Sequence, residues 1–169
     1  RGCVLDVDET RVTVYQELLH GDGTPAAAFR TKLIHASADD MRPFPWSDRT
    51  RKALTELIEE PPAATAPRGI DLSVEPLPNE DVALGVAERQ GVKLIGQGMV
   101  DAGHCDVFGR MKPHWFTGRV SDSVPNLLYD WREKVAQAVE GSRMGAAVLE
   151  NRIVFRGWPK AGELFQIRT

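Results

Sequence analysis

Val92-Lys93-Leu94-Ile95, followed from Gly98 by Met99-Val100-Asp101-Ala102-Gly103-His104-Cys105-Asp106-Val107-Phe108-Gly109-Arg110-Met111-Lys112-Pro113-His114-Trp115-Phe116, is the stretch on which the fold turns. The apolar run at 92–95 reads as a strand that continues to Val100. Asp101 to Lys112 is rich in turn formers. Pro113 suits the first position of a helix, because an amide there would lack an intrahelical partner anyway. Phe116, Val120, Val124 and Leu127/Leu128 recur at helical spacing, so a long helix is expected from Pro113. Pro125 interrupts that pattern and is expected to kink or break it, with Tyr129 to Val139 as a continuation. After Gly141 two strands are expected, at 145–155 and 163–167, with a turn over 157–162 between them.

Working towards the start, residues 11–36 read as a β-hairpin. Val12, Val14 and Leu18 alternate with Thr13 and Glu17, and Phe29, Thr31 and Leu33 alternate with Arg30 and Lys32. Gly21-Asp22-Gly23 between them is hairpin-turn chemistry; it precedes a strand rather than a helix, so a phosphate-binding loop is rejected. Residues 3–7 read as an earlier strand, and 47–59 as a short amphipathic helix, capped by Ser47 or Asp48 with Leu54, Leu57 and Ile58 inward. From Glu59 to Glu80 the composition changes, with five of the 11 prolines, which marks a stiff connector and a domain boundary. A shorter helical piece is expected at about 80–89. Runs of antiparallel strands plus one long helix argue for an α+β fold rather than a doubly wound sheet.

The composition excludes several classes. With 21 Lys+Arg against 24 Asp+Glu, the net charge of -3 leaves no electrostatic footprint for nucleic acid. No run approaches the roughly 20 apolar residues of a membrane-spanning helix, and no secretory apolar region lies near the start. Cys3 and Cys105 are too few for a disulfide scaffold, and no CxxC pair suggests zinc. A reducing, cytoplasmic setting is the default. At 169 residues the chain buries enough surface to need no covalent or metal staple. It starts at Arg1 without a methionine and stops just after the strand-like Leu164-Phe165-Gln166-Ile167, which reads as an excerpt of a longer protein.

The densest polar cluster lies between strand and helix: Asp101, His104, Cys105, Asp106, Arg110, Lys112 and His114. A helix N-terminus offers free N–H groups and a partial positive charge, which can polarise a carbonyl or hold an oxyanion. A carboxylate beside it can attack that carbonyl or activate a water. Each residue also has a plainer reading. Asp106, four residues before Arg110, has the pattern of an Asx turn with a surface ion pair. His104 fits a hydrogen-bonded structural histidine, since adjacent residues rarely ligate one ion well. Cys105 fits a small buried filler. Arg119, Ser121 and Asp122 interrupt the apolar spacing of the helix; Ser121 and Asp122 either line a pocket or face solvent. Glu150 either pairs with Arg152 at the surface or looks into a cleft.

The segment from Gly98 to Phe116 resembles the strand-to-helix approach of hotdog-fold thioesterases, especially the 4-hydroxybenzoyl-CoA thioesterase-like branch: Asp106, two residues, Gly109, a short polar stretch, then Trp115 or Phe116. The runs 147–155 and 159–168 look like the two strands that follow the family's helix, and 12–36 with Arg42-Pro43-Phe44-Pro45-Trp46 looks like the end of a preceding hotdog unit. The resemblance implies a tandem hotdog: an antiparallel sheet wrapped around a long central helix. Residues 1–50 would be the last strands of a first unit, 51–90 a linker, and 91–169 the first part of a second.

It also implies hydrolysis of an acyl-CoA or acyl-carrier thioester, with CoA present only as part of the substrate and no separate cofactor or metal. Asp106 matches the family's reactive carboxylate, with His104 and Ser121 shaping the site and Asp122 as a second candidate. Where members carry a His and two Asn after the Gly, this chain has Arg110-Met111-Lys112-Pro113, so the amide of Lys112 or His114 would hold the thioester oxygen. Arg110 and Lys112 would meet CoA phosphates. The oligomeric expectation is a homo-oligomer or an intrachain pair of hotdog units. Two alternatives stand beside this reading. One is a hotdog hydratase or dehydratase, pairing Asp101 with His104 or Asp106 with His114, although its Asp-x-Asn-Pro-x-His pattern is missing. The other is a non-catalytic thioester-binding or dimerisation module.

Overall fold

A computed structural model describes residues 1–138 and 147–169. The chain divides into two compact units, Arg1–Arg68 and Gly69–Thr169, and the division falls inside the Pro-rich stretch.

In the first unit, alternation of apolar and polar residues produces three antiparallel strands, β1 (Gly2–Val7), β2 (Arg11–Leu19) and β3 (Pro25–Ile34), ordered β1-β2-β3. The expected hairpin is there. Gly23 takes φ +86°, which glycine tolerates without strain, and Asp22 Oδ1 accepts from the Thr24 amide (2.9 Å) and hydroxyl (2.7 Å). Asp8 Oδ1 ties the β1–β2 turn by accepting from the amides of Thr10 and Arg11. The β2–β3 register opposes Val12 to Leu33 and Gln16 to Phe29. Val4 and Val12 are buried on that face of the sheet, and Tyr15 on the other. The Tyr15 hydroxyl lies 2.5 Å from Glu17 Oε1 and 2.7 Å from Thr65 Oγ1.

Helix α1 (Asp48–Thr55) starts where expected, with the Ser47 hydroxyl accepting from the Thr50 amide at 3.1 Å. It stops earlier than the periodicity predicts. Leu57 and Ile58 are not inward-facing helix residues; both are substantially exposed. Their backbone runs along β1 instead, with the Val4 amide donating to Leu57 O and the Glu59 amide to Val4 O, both at 3.0 Å.

The second unit holds α2 (Leu84–Arg89), β4 (Leu94–Met99), α3 (Pro113–Ala138) and β5 (Leu164–Arg168). β4 and β5 pair antiparallel, from Leu94 opposite Arg168 to Met99 opposite Leu164, and α3 packs on them. Ile95, Val100 and Met111 are buried here. The fold is α+β, with antiparallel sheets and one long helix packed against strands. Among the described residues, no helix is long and apolar enough to cross a membrane.

Of the kink or break expected at Pro125, the break does not occur: Pro125 sits inside an unbroken α3. It lies at an exposed position, where the Ser121 carbonyl that loses its intrahelical donor can be hydrated. The strand expected over 145–155 is absent from the described part, 147–155. Side chains of this run bind sideways to a neighbouring segment rather than leaving the backbone to join a ladder. Glu150 accepts from the amides of Gly69 (2.7 Å) and Ile70 (3.2 Å), Arg152 donates to Val74 O, and Arg156 donates to Asn79 Oδ1. Residues 145, 146 and Val139 lie outside the described residues.

Candidate functional site

The turn-rich stretch ahead of α3 is ordered by its aspartates. Asp101 Oδ1 accepts from the Gly103 amide at 2.7 Å and starts a short 3-10 turn over Ala102–His104. Asp106 Oδ1 accepts from the amides of Phe108 (2.9 Å) and Arg110 (3.0 Å), while its Oδ2 faces Arg110 Nε at 3.4 Å. Gly109 completes the turn at φ +73°, a conformation that disfavours residues with a Cβ. The Arg110 amide, helped by the Phe108 amide and the Arg110 guanidinium, holds the Asp106 carboxyl below the usual carboxylate range. Asp106 is therefore ionised at neutral pH. Its side chain is 37% exposed.

The first turn of α3 leaves one notable donor. The Lys112 amide donates to His104 O (2.9 Å) and the Trp115 amide to Lys112 O (3.0 Å), and Pro113 has no amide. Among the described residues, the His114 amide finds no protein acceptor.

Further along α3, Arg119, Asp122, Ser123 and Asn126 fall at i, i+3, i+4 and i+7, so they form one stripe. That stripe lines a groove of about 680 Å³ with the strand backbone of β4 and with Phe165. Gly96 and Gly98 set the approach of the walls. A Cβ on Gly96 would overlap Ser123, and one on Gly98 would come within 2.9 Å of the Phe165 ring. Ser123 is buried and donates to Arg119 O at 2.8 Å; Asn126 donates to Ile95 O at 2.8 Å. The Arg119 guanidinium is 5.6 Å from the Trp115 ring, 3.3 Å from both ring nitrogens of His104, and 3.5 Å from Asp122 Oδ2. His104 itself packs on Trp115, with ring centroids 3.9 Å apart.

The structure thus gathers His104 and Asp122 around Arg119 at the groove, and Asp106, Gly109 and Arg110 in the turn ahead of it. Asp106 is not among the residues lining the groove. Lys112 and His114 stand at the head of α3, with the His114 side chain exposed. Ser121 is exposed and lies off the lining stripe. Glu150 is elsewhere, bound to the Gly69 and Ile70 amides. Arg119, Ser123 and Asn126 were not singled out as site residues from the sequence. Their signal was present as a polar stripe with the same period that reveals the helix. Among the described residues, no group of three or more His, Cys, Asp or Glu side chains could hold a metal ion. No protein-family model, no curated protein and no solved structure matches this chain.

Proposed function

We propose that the second unit is a hotdog-type domain that hydrolyses an acyl thioester, with Asp106 as the reactive carboxylate. One observation carries this reading. Asp106 is an ionised carboxylate, fixed by two backbone amides, just ahead of a long helix whose His114 amide has no protein acceptor among the described residues. The strand–turn–helix–strand order and the antiparallel β4–β5 pair support the fold assignment.

In this reaction the thioester oxygen sits at the head of α3 and accepts from the His114 amide. A carboxylate held at low pKa is a poor proton acceptor, so direct attack suits it better than general-base catalysis. An Asp106 oxygen bonds to the carbonyl carbon, the C–S bond breaks, and the thiolate leaves and takes a proton from water. Water then adds to the resulting mixed anhydride, releasing the carboxylic acid, restoring the Asp106 carboxylate and giving up one proton, which neutralises the hydroxide left when the thiolate was protonated. CoA or a carrier arm arrives and leaves with the substrate in a cytoplasmic setting, and no further cofactor takes part.

A second reading, a thioester-binding module without turnover, is favoured by the Arg110 guanidinium that already faces Asp106 Oδ2. Thiol release from a panel of short, long and aromatic acyl-CoAs separates the two. Asp106→Asn is expected to lower turnover by about 100-fold or more, the scale of a lost catalytic group. Turnover that survives the substitution removes Asp106 from the reaction. Saturable binding without turnover by the parent protein establishes the module.

A further inference from the structure

We propose that the acyl group entering the α3–β4 groove carries a carboxylate, as in the monothioester of a short dicarboxylic acid, and that Arg119 holds it in place of Asp122. This rests on the thioester reading above and names the substrate class through the groove next to that turn, where Arg119 meets His104.

A helix lying on a sheet ordinarily turns its apolar stripe inward. Here α3 gives the groove Arg119, Asp122, Ser123 and Asn126, facing Leu94, Ile95, Met99 and Phe165 from the strands, while Val120 and Leu127 are 48% and 37% exposed. A saturated chain could use the strand side, but against the α3 side it would desolvate charged groups without replacing their hydrogen bonds. The Ser123 hydroxyl donates to Arg119 O and one Asn126 N–H to Ile95 O, and the charged side chains of the lining are Arg119 and Asp122.

Those two are held very differently. The Arg119 guanidinium is seated against Trp115 and His104 and is 31% exposed. The Asp122 carboxylate is 67% exposed and meets Arg119 at 3.5 Å, outside good hydrogen-bond range. The cation is fixed and its anion is exchangeable. A ligand carboxylate can take the planar guanidinium fork with two parallel hydrogen bonds, while Asp122 swings into water. The groove, about 680 Å³, has room for the acyl group beside Arg119.

The test is calorimetric titration of the full chain with non-hydrolysable thioether analogues of succinyl-CoA and butyryl-CoA, each also as its pantetheine form. The carboxylate-bearing analogue is expected to bind about tenfold tighter or more, the scale of one charge-assisted pair. Arg119→Met should erase that preference while butyryl binding persists. Asp122→Asn, an exposed change, should strengthen carboxylate binding by removing the competing anion; a purely structural role would weaken both ligands alike. Equal binding of the two analogues, or a preference that survives Arg119→Met, overturns the inference and leaves the thioester reading intact. Failure of every analogue to bind, in CoA and pantetheine forms alike, removes the thioester reading and the inference with it.

Discussion

The two units reach stability by different routes. The β1-β2-β3 sheet of the first unit is held by backbone ladders with one register shift in each pair, and its turns are closed locally by Asp8 and Asp22. The second unit has only the β4–β5 pair in its sheet among the described residues, and side chains complete it. Asn126 reaches Ile95 O, Ser123 reaches Arg119 O, and Arg168 reaches Val92 O (3.1 Å). A ladder that satisfies its own backbone leaves its side chains free to vary. Where side chains lock the backbone, as along α3, the same residues carry the fold and line the groove.

The contrast can be broken at its strongest point by core truncation. Ile95→Ala, at a site only 5% exposed, should cost the second unit about 2–5 kcal/mol. Leu33→Ala, at 47% exposed, should cost the first unit about 0.5 kcal/mol. Hydrogen exchange under native conditions, followed peptide by peptide, reads each unit separately, and comparable losses at both positions would refute the contrast.

A change of intermediate size sharpens it. Gly96→Ala forces a Cβ against Ser123 and should cost about 1–3 kcal/mol. Adding Ser123→Gly should recover much of that loss in urea unfolding. A double variant no more stable than Gly96→Ala would show that the glycine serves something other than the close approach of α3.

The smallest effect concerns acid. Asp8 and Asp22 in the first unit and Asp106 in the second accept backbone amides, Asp71 accepts the Ser73 hydroxyl and then its amide, and all four sit below the usual carboxylate range. Each folded carboxyl binds its proton less tightly than its unfolded counterpart. The stability each contributes is therefore complete above the unfolded value and drains away as pH falls from about 5 downward. Asp106→Asn should flatten the acid limb of unfolding for the second unit only, and Asp22→Asn for the first only. An acid limb unchanged by both substitutions would remove these turns as its source.

The local rules were readable in the sequence wherever one short-range interaction dominates. Asp22-Gly23 between alternating strands, Ser47 before α1 and Pro113 at the head of α3 all act within a few residues of themselves. The missed features depend on distant partners. Leu57 and Ile58 have helical spacing, but Val4 offers their backbone a strand partner. Residues 147–155 have strand-like composition, but Glu150 and Arg152 find amides and a carbonyl far back in the chain. Asp106 was legible as a turn former, and the Phe108 and Arg110 amides that it accepts are that turn. The groove was hidden because its lining comes jointly from α3 and β4, and no sequence window contains both.

The short backbone pairing of residues 57–59 with β1 has a consequence for how the first sheet can grow. It covers part of β1, and among the described residues no strand pairs with the outer edge of β3. A strand added there would meet Arg30 and Lys32, which stand on the same face. An identical β3 strand arriving antiparallel would bring cations against cations, whereas an acidic strand would not. The sheet is thus partly covered on one side and discouraged from self-addition on the other by charge.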